Sequence, residues 1–186
     1  MPENPSKSGG SATSAIALLA VAGFAAQAMV RSTDSLLPQI ATDLNVTVGA
    51  TSVIVTFYLL AHGSVQLVIG PIGDRFGKYL CVALAATAAT VMVALCGLAS
   101  SLPLLVAARL GSGLATGWII PLAFAFIGDI IPYERRQQVL GRFLSGQILG
   151  QLFGQAAGGV LGDLFGWRNV FFILAGLLAA ATLGLF

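Results

Sequence analysis

Residues 66–77 read QLVIGPIGDRFG, and residues 155–166 read QAAGGVLGDLFG. Laid over each other at an offset of 89, they agree at Gln66/Gln155, Gly70/Gly159, Gly73/Gly162, Asp74/Asp163, Phe76/Phe165 and Gly77/Gly166. Each stretch closes a long apolar run, and the chain around them carries few charges: nine Lys or Arg and seven Asp or Glu in 186 residues. Six charge-free windows lie between those charges: Ser8–Val30, Leu44–Gly73, Tyr79–Ala108, Leu110–Gly128, Phe143–Gly162 and Asn169–Phe186, of 23, 30, 30, 19, 20 and 18 residues. A bilayer core takes about 20 apolar residues per helix, so six windows predict six membrane spans. The two repeat copies then fall at the same place, the end of the second helix in each set of three. Three is odd, so the second set is inverted across the membrane.

The composition excludes other classes. Apolar residues make up 57% of the chain and charged residues 9%, against about 25% charged in soluble domains. A soluble enzyme, a nucleic-acid binder and a disordered chain do not fit. In lipid every backbone N–H and C=O must be bonded internally, which leaves helices or closed barrels. Barrel strands alternate apolar and polar residues over about ten positions, whereas these windows are continuously apolar. The predicted fold is an all-α membrane protein of six transmembrane helices in two inverted three-helix repeats. Such repeats characterise secondary transporters. Cys81 and Cys96 share one apolar window, have no metal-ligand spacing and read as small apolar helix residues. No catalytic constellation, metal site or cofactor motif stands out.

Residues 1–13 (MPENPSKSGGSAT) predict a disordered cytoplasmic tail. Residues 14–186 predict the bundle, with helices at about 14–37, 49–72, 80–99, 103–128, 138–161 and 167–186. Pro38 is expected to end the first helix, and Pro103 suits the first turn of the fourth. Ala26-Gln27-Ala28 resembles a signal-peptidase site, but Glu3 weakens a basic leader and five more apolar windows follow, so a retained helix is expected. Lys7, Arg75, Lys78, Arg135, Arg136 and Arg142 fall on one side of the membrane and Arg168 on the other. The positive side faces the cytoplasm, which predicts a cytoplasmic N-terminus.

The stretch Gly70-Pro-Ile-Gly-Asp-Arg-Phe-Gly-Lys78 resembles the loop between helices 2 and 3 of the major facilitator superfamily, G-x-x-x-D-R-x-G-R/K. Tyr79 stands where the family has a further basic residue. The resemblance implies a cytoplasmic gate built from Gly70, Asp74, Arg75, Gly77 and Lys78, with Asp129 at the end of helix 4 as a partner. Read without it, the same charges could simply set topology.

Within helix 4, Arg109 has Gly113, Gly117 and Pro121 at successive steps of four. An arginine inside a span is expensive and normally faces a partner or a wet cavity; bonding to backbone carbonyls is the other option. The pattern is similar to the R-x-x-x-G motif of proton-coupled branches, which implies a role for Arg109 in proton coupling. In helix 5, Gly146, Gly150, Gly154, Gly158 and Gly162 form a small-residue packing stripe. Gln147, Gln151 and Gln155 run beside it as cavity-lining candidates or as bonds to neighbouring helices. The drug/proton antiporter branch has G-P-x-x-G-G where this chain reads Gly154-Gln155-Ala-Ala-Gly158-Gly159.

Asp34-Ser-Leu-Leu-Pro38-Gln-Ile-Ala-Thr-Asp43 is similar to the family's helix 1 exit. Arg31 and Asp34 can meet at i,i+3. Asp34 is the candidate protonation switch and Arg31 its counter-charge, unless both merely end the helix at the outer interface. Tyr58, His62 and Gln66 form a polar stripe on helix 2, with Tyr58 and Gln66 as cavity-lining candidates. His62, the one histidine of the chain, is a proton-carrying candidate or a satisfied helix residue. Trp167 and Arg168 are expected as interface anchors.

The resemblance, with the N-terminal half of a drug/proton antiporter-like carrier, implies proton-coupled efflux of drugs or metabolites by alternating access. The expected partners are the lipid bilayer, a small-molecule substrate, protons and a second six-helix half, with no nucleic acid; the expected location is a bacterial cytoplasmic (inner) membrane. The last window stops inside apolar sequence, which reads as a cut. A piece of a twelve-helix carrier, a half-size carrier acting as a homodimer and a non-transporting membrane protein are the three options the sequence leaves.

Overall fold

The computed structural model describes residues 5–186, with side chains from residue 13 onward. The first span is built from α1 (Pro5–Arg31), a 3-10 turn (Asp34–Leu36) and α2 (Leu37–Asp43). Of the expected tail, residues 1–4 lie outside the described residues. Helix starts at Pro5, a residue type tolerated in a first turn. Pro38 does not end the span. It sits in the first turn of α2, where its missing N–H breaks no helical bond. The helix resumes there and closes at Asp43.

The second span is α3 (Val48–Thr51), α4 (Val53–Val65) and α5 (Ile69–Phe76). Thr47 caps its start, its Oγ1 accepting from the Ala50 N–H at 3.1 Å. The third is α6 (Lys78–Gly97). The fourth is α7 (Leu102–Thr116) and α8 (Ile119–Ile130), broken just before the carbonyl that Pro121 cannot bond. The fifth, α9, runs Tyr133–Phe165 without a break, and the sixth is α10 (Trp167–Leu185). At 33 residues and about 1.5 Å per residue, α9 is longer than a bilayer core. It extends past both expected ends, through the charged segment Glu134–Arg142.

Among the described residues, five helical segments are long and apolar enough to cross a membrane: Thr13–Asp43, Val48–Val65, Lys78–Gly97, Leu102–Ile130 and Trp167–Leu185. Helix α9 misses that threshold because Ser145, three glutamines and six glycines dilute its apolar stretch. Its path is set by packing instead. A Cβ built on Gly150 would meet the backbone of Phe24, one on Gly154 that of Ala28, one on Gly158 that of Ser32, and one on Gly162 the Leu36 side chain. The numbers rise together, so α9 runs parallel to the first span and crosses whatever that span crosses. Gly146, expected in the same stripe, meets nothing within 4 Å. A step of four residues advances 400°, so the stripe rotates off the contact face away from its centre at Gly154.

Spans 2 and 4 are also parallel. A Cβ on Gly113 would strike the Tyr58 carbonyl, and one on Gly117 the His62 carbonyl. Spans 3 and 6 are antiparallel, with Gly97 against Phe172 and Thr90 Oγ1 3.5 Å from Thr182 Oγ1. Exchanging spans 1–3 with spans 4–6 carries the 1/5 pair onto the 4/2 pair and the 3/6 pair onto itself. That is the inverted repeat, visible in the packing. Its signature in the backbone is equally direct. Gly77 (φ +92°) and Gly166 (φ +80°) are the glycines in the left-handed region, and they are aligned positions of the two repeat copies. Each joins one helix to the next with no intervening loop, a turn that other residues adopt only with strain.

The glycine contacts generate a contrast. Gly154→Leu is expected to destabilise the fold by about 3 kcal/mol, because the obstructing atoms belong to the Ala28 backbone and cannot step aside. Gly146→Leu is expected to leave the thermal midpoint in detergent unchanged within error. Equal losses for the two would contradict the packing.

Candidate functional site

Arg109, on α7, is completely buried. Its guanidinium carbon lies 3.9 Å from the centroid of the Tyr58 ring and 5.9 Å from that of Phe171. None of its three side-chain nitrogens has a hydrogen-bond partner among the described residues, so the two ring faces hold the charge. Desolvated cation–π contacts of this kind contribute about 2 kcal/mol.

A polar track leaves Tyr58 beside it. The Tyr58 hydroxyl and Thr116 Oγ1 are 2.9 Å apart, and His62 Nδ1 is 3.2 Å from the same oxygen. Thr116 can also donate back to the Ser112 carbonyl at 2.8 Å, and Ser112 Oγ donates to the Arg109 carbonyl at 2.9 Å. The Tyr58 and His62 rings stack, with centroids 5.7 Å apart. His62 is half-buried, whereas Tyr58, Ser112 and Thr116 are buried. The track therefore leads from a fully enclosed arginine to a ring at the edge of the bundle. Spans 2 and 4 can hold it because Gly113 and Gly117 bring α7 against α4.

Arg31 Nη1 donates to Asp34 Oδ2 at 3.1 Å. The pair stands where α1 gives way to the 3-10 turn, with Arg31 exposed and Asp34 half-buried. The span continues past it to Asp43, so these residues mark a break inside the span and do not terminate it.

At the other side of the membrane, Lys78 Nζ contacts Asp74 Oδ1 at 2.7 Å and Asp129 Oδ2 at 2.6 Å. This clasp joins the ends of spans 2 and 4 at the start of span 3, and Gly77 supplies its turn. Gly70 meets nothing within 4 Å. Arg75 lies over the Phe76 ring at 5.5 Å and enters no ion pair among the described residues.

The opposite end has a counterpart that sequence reasoning missed. Asp43 accepts from Trp167 Nε1 at 3.2 Å and pairs with Arg168. Arg168 Nη2 also donates to the Ala99 carbonyl at 3.2 Å. The ends of spans 1 and 3 are thereby tied to the start of span 6. Trp167, expected as an interface anchor, is 4% exposed and packs edge-on against Phe171. Asp163, the repeat mate of Asp74, accepts from Gln39 Nε2 at 3.0 Å. The repeat offset was the available signal: it maps Lys78 onto Trp167. No comparable signal marked Thr116, which matters only through three-dimensional proximity.

The cavity-lining candidates do not form one surface. Tyr58 and Gln147 are buried inside the half, Gln151 is half-buried, and Gln66 and Gln155 are exposed. The Gln147 side chain packs 3.7 Å from the Cβ position of Gly23, between spans 1 and 5.

An inverted repeat of three helices, clasped at both ends around a buried arginine, defines this chain as half of a membrane transporter fold. The sequence profile of the Major Facilitator Superfamily matches residues 19–186, and the chain belongs to that family. Over 151 residues it is 34% identical to an uncharacterised MFS-type transporter of Mycobacterium tuberculosis, a match covering 78% of this chain and 26% of that protein. It is 36% identical over 109 residues to the multidrug resistance protein MdtG of Serratia proteamaculans, covering 59% of this chain and 26% of the relative. A triacylglyceride transporter of Mycobacteroides abscessus is 32% identical over 121 residues, covering 64% and 24%. The chain thus spans about a quarter of these relatives' length. Among solved structures, the POT family transporter PepTSo superposes with TM-score 0.81 at 23% identity, over 99% of this chain and 37% of that one. The inward-facing bacterial homologue of the lysosomal transporter Spinster gives TM-score 0.76 at 22% identity, over 92% and 41%.

Thr116→Val keeps the volume and removes the hydroxyl shared by Tyr58 and His62. The stranded Tyr58 hydroxyl is expected to cost about 1–3 kcal/mol, read as a lower thermal midpoint, and Thr116→Ser is expected to restore most of it. An unchanged midpoint for Thr116→Val would show that the hydroxyl bonds carry no weight.

Proposed function

We propose that the chain forms one half of a secondary transporter that exports small apolar or amphiphilic molecules in exchange for protons, by alternating access against a second six-helix half. The observation that carries this reading is Arg109. A fully buried guanidinium held only by ring faces is an expensive feature for packing alone. Here it adjoins a hydrogen-bonded track ending at His62, the side chain best suited to take up and release a proton near neutrality. Asp34, paired with Arg31 at a break in the first span, is the carboxylate of that span that a conformational change could alter. In this reading Asp34 is the protonation switch, Arg31 its exposed counter-charge, and His62 the entry to the track. Protonating Asp34 alters the field on Arg109 and so biases one conformation of the half over another.

The exported class follows from the apolar bundle and from the similarity to proteins named for multidrug resistance and for triacylglyceride transport. The clasp of Asp74, Lys78 and Asp129 lies on the inner side, because Arg75, Lys78, Arg135, Arg136 and Arg142 all belong to connections on that side. In this reading the N-terminus is cytoplasmic and the membrane is a bacterial cytoplasmic membrane. The second half comes from the remainder of a longer carrier, and a second copy of this chain is its alternative source.

The test is flux in liposomes under an imposed proton gradient. The protein together with its second half is expected to move a fluorescent amphiphilic cation. Asp34→Asn and Arg109→Ala are each expected to lower proton-driven flux at least tenfold while membrane insertion persists. Flux that persists in both variants, or flux that ignores the gradient in the parent, would overturn the proton-coupled reading.

A further inference from the structure

At the end of the bundle that carries the inner clasp, spans 1, 4 and 5 leave a depression of about 450 Å³. Its floor is apolar, with Ile16 and Ala20 from α1 and Phe143 from α9. Phe143 is buried, edge-on to Phe124 with ring centroids 5.2 Å apart, so packing fixes the floor. The rim carries Arg135, Gln138 and Arg142. These stand at i, i+3 and i+7 on one face of α9. The ion pairs of the described residues use Arg31, Lys78 and Arg168. Arg135 and Arg142 enter none of them, and both are exposed. Two guanidinium groups outside the ion pairs of the described residues thus overhang an apolar floor at this end of the bundle.

We propose that this depression binds an anionic phospholipid, with its phosphate between Arg135 and Arg142 and an acyl chain along Ile16, Ala20 and Phe143. Basic pockets between transmembrane helices on the cytoplasmic side hold anionic headgroups. The planar guanidinium fork suits phosphate oxygens better than an ammonium does. A free phosphate would use only the rim, whereas a phospholipid uses rim and floor together. The charge pattern matches the ligand: cations sit where the chain leaves the bilayer, and apolar side chains sit where an acyl tail would run. Nothing in this site overlaps the Arg109 track, so it stands or falls apart from proton coupling.

Native mass spectrometry of the detergent-purified protein titrated with phosphatidylglycerol or phosphatidylcholine tests it. Phosphatidylglycerol is expected to bind at least tenfold more tightly. The double variant Arg135→Gln/Arg142→Gln is expected to weaken that binding about 20-fold. Arg75→Gln removes one cation from the same end and is expected to leave the affinity within twofold. Ala20→Phe fills the floor and keeps both charges, and it is expected to weaken the lipid at least tenfold. Equal affinity for the two lipids would overturn the proposal. So would a double variant that still binds like the parent, a loss in Arg75→Gln as large as in the double variant, or full displacement of the lipid by millimolar inorganic phosphate.

Discussion

The constraint on which the rest depends is how closely parallel helices approach where glycine removes the side chain between them. Lipid tails are as apolar as leucine, so no hydrophobic force draws one span onto another, and association rests on close contact and on interhelical bonds. Gly150, Gly154 and Gly158 put α9 onto the backbone of the first span, and Gly113 and Gly117 put α7 onto α4. A side chain at any of these five positions would collide with main-chain atoms. The 1/5 and 2/4 pairs are mates under the inverted repeat, so one device operates twice. Spans 3 and 6 then pack antiparallel, with Gly97 against Phe172 and Thr90 beside Thr182.

The same approach creates the polar centre. Arg109 lies one turn before Gly113, so the close passage of α7 over α4 lays its guanidinium against the Tyr58 ring. Thr116 immediately precedes Gly117, which brings its hydroxyl within reach of both Tyr58 and His62. The arginine is thus buried by the packing of its own helix. A side chain that costly to desolvate persists where the surroundings fix it, and here two aromatic faces from different spans do so.

How much of this was legible in the sequence depended on whether the deciding interaction was periodic. The repeat at positions 66–77 and 155–166 was readable because glycines needed for a left-handed turn and for close approach leave identities behind. Gly77 and Gly166 became those turns, and Asp74 and Lys78 the clasp with Asp129. The glycine stripe was readable for the same reason, although Gly146 shows that a step of four does not stay on one face. The continuation past Pro38 was hidden because proline both ends helices and begins them, and only the packing of Leu36 and Ile40 in the core decides which. Thr116 was hidden because its partners Tyr58 and His62 come from a span distant in sequence, and the pairing of Asp43 with Trp167 and Arg168 was hidden for the same reason. The glutamine stripe on helix 5 does not translate into one surface, because a step of four turns the side chains off a common face: Gln147 is buried while Gln155 is exposed.

The two ends of the bundle are related by the repeat but are not equivalent. At the Lys78 end one lysine serves two exposed carboxylates, and water can replace either contact; exposed pairs of this kind hold weakly. At the Arg168 end one carboxylate takes two donors, one from a tryptophan buried against Phe171, and the guanidinium beside it also bonds the backbone at the end of the third span. Opening the Arg168 clasp would take the carboxylate acceptor from the buried Trp167 indole, whereas the carboxylates of the Lys78 clasp are already exposed. The Lys78 end can therefore exchange its contacts for new ones, while the Arg168 end holds spans 1, 3 and 6 together. The asymmetry follows from what stands after the repeat's last glycine: lysine at 78 and tryptophan at 167. The two copies share the glycine that makes the turn, Gly77 and Gly166, and differ at the residue that follows it, which is where a shared architecture would have to differ for one end to yield before the other.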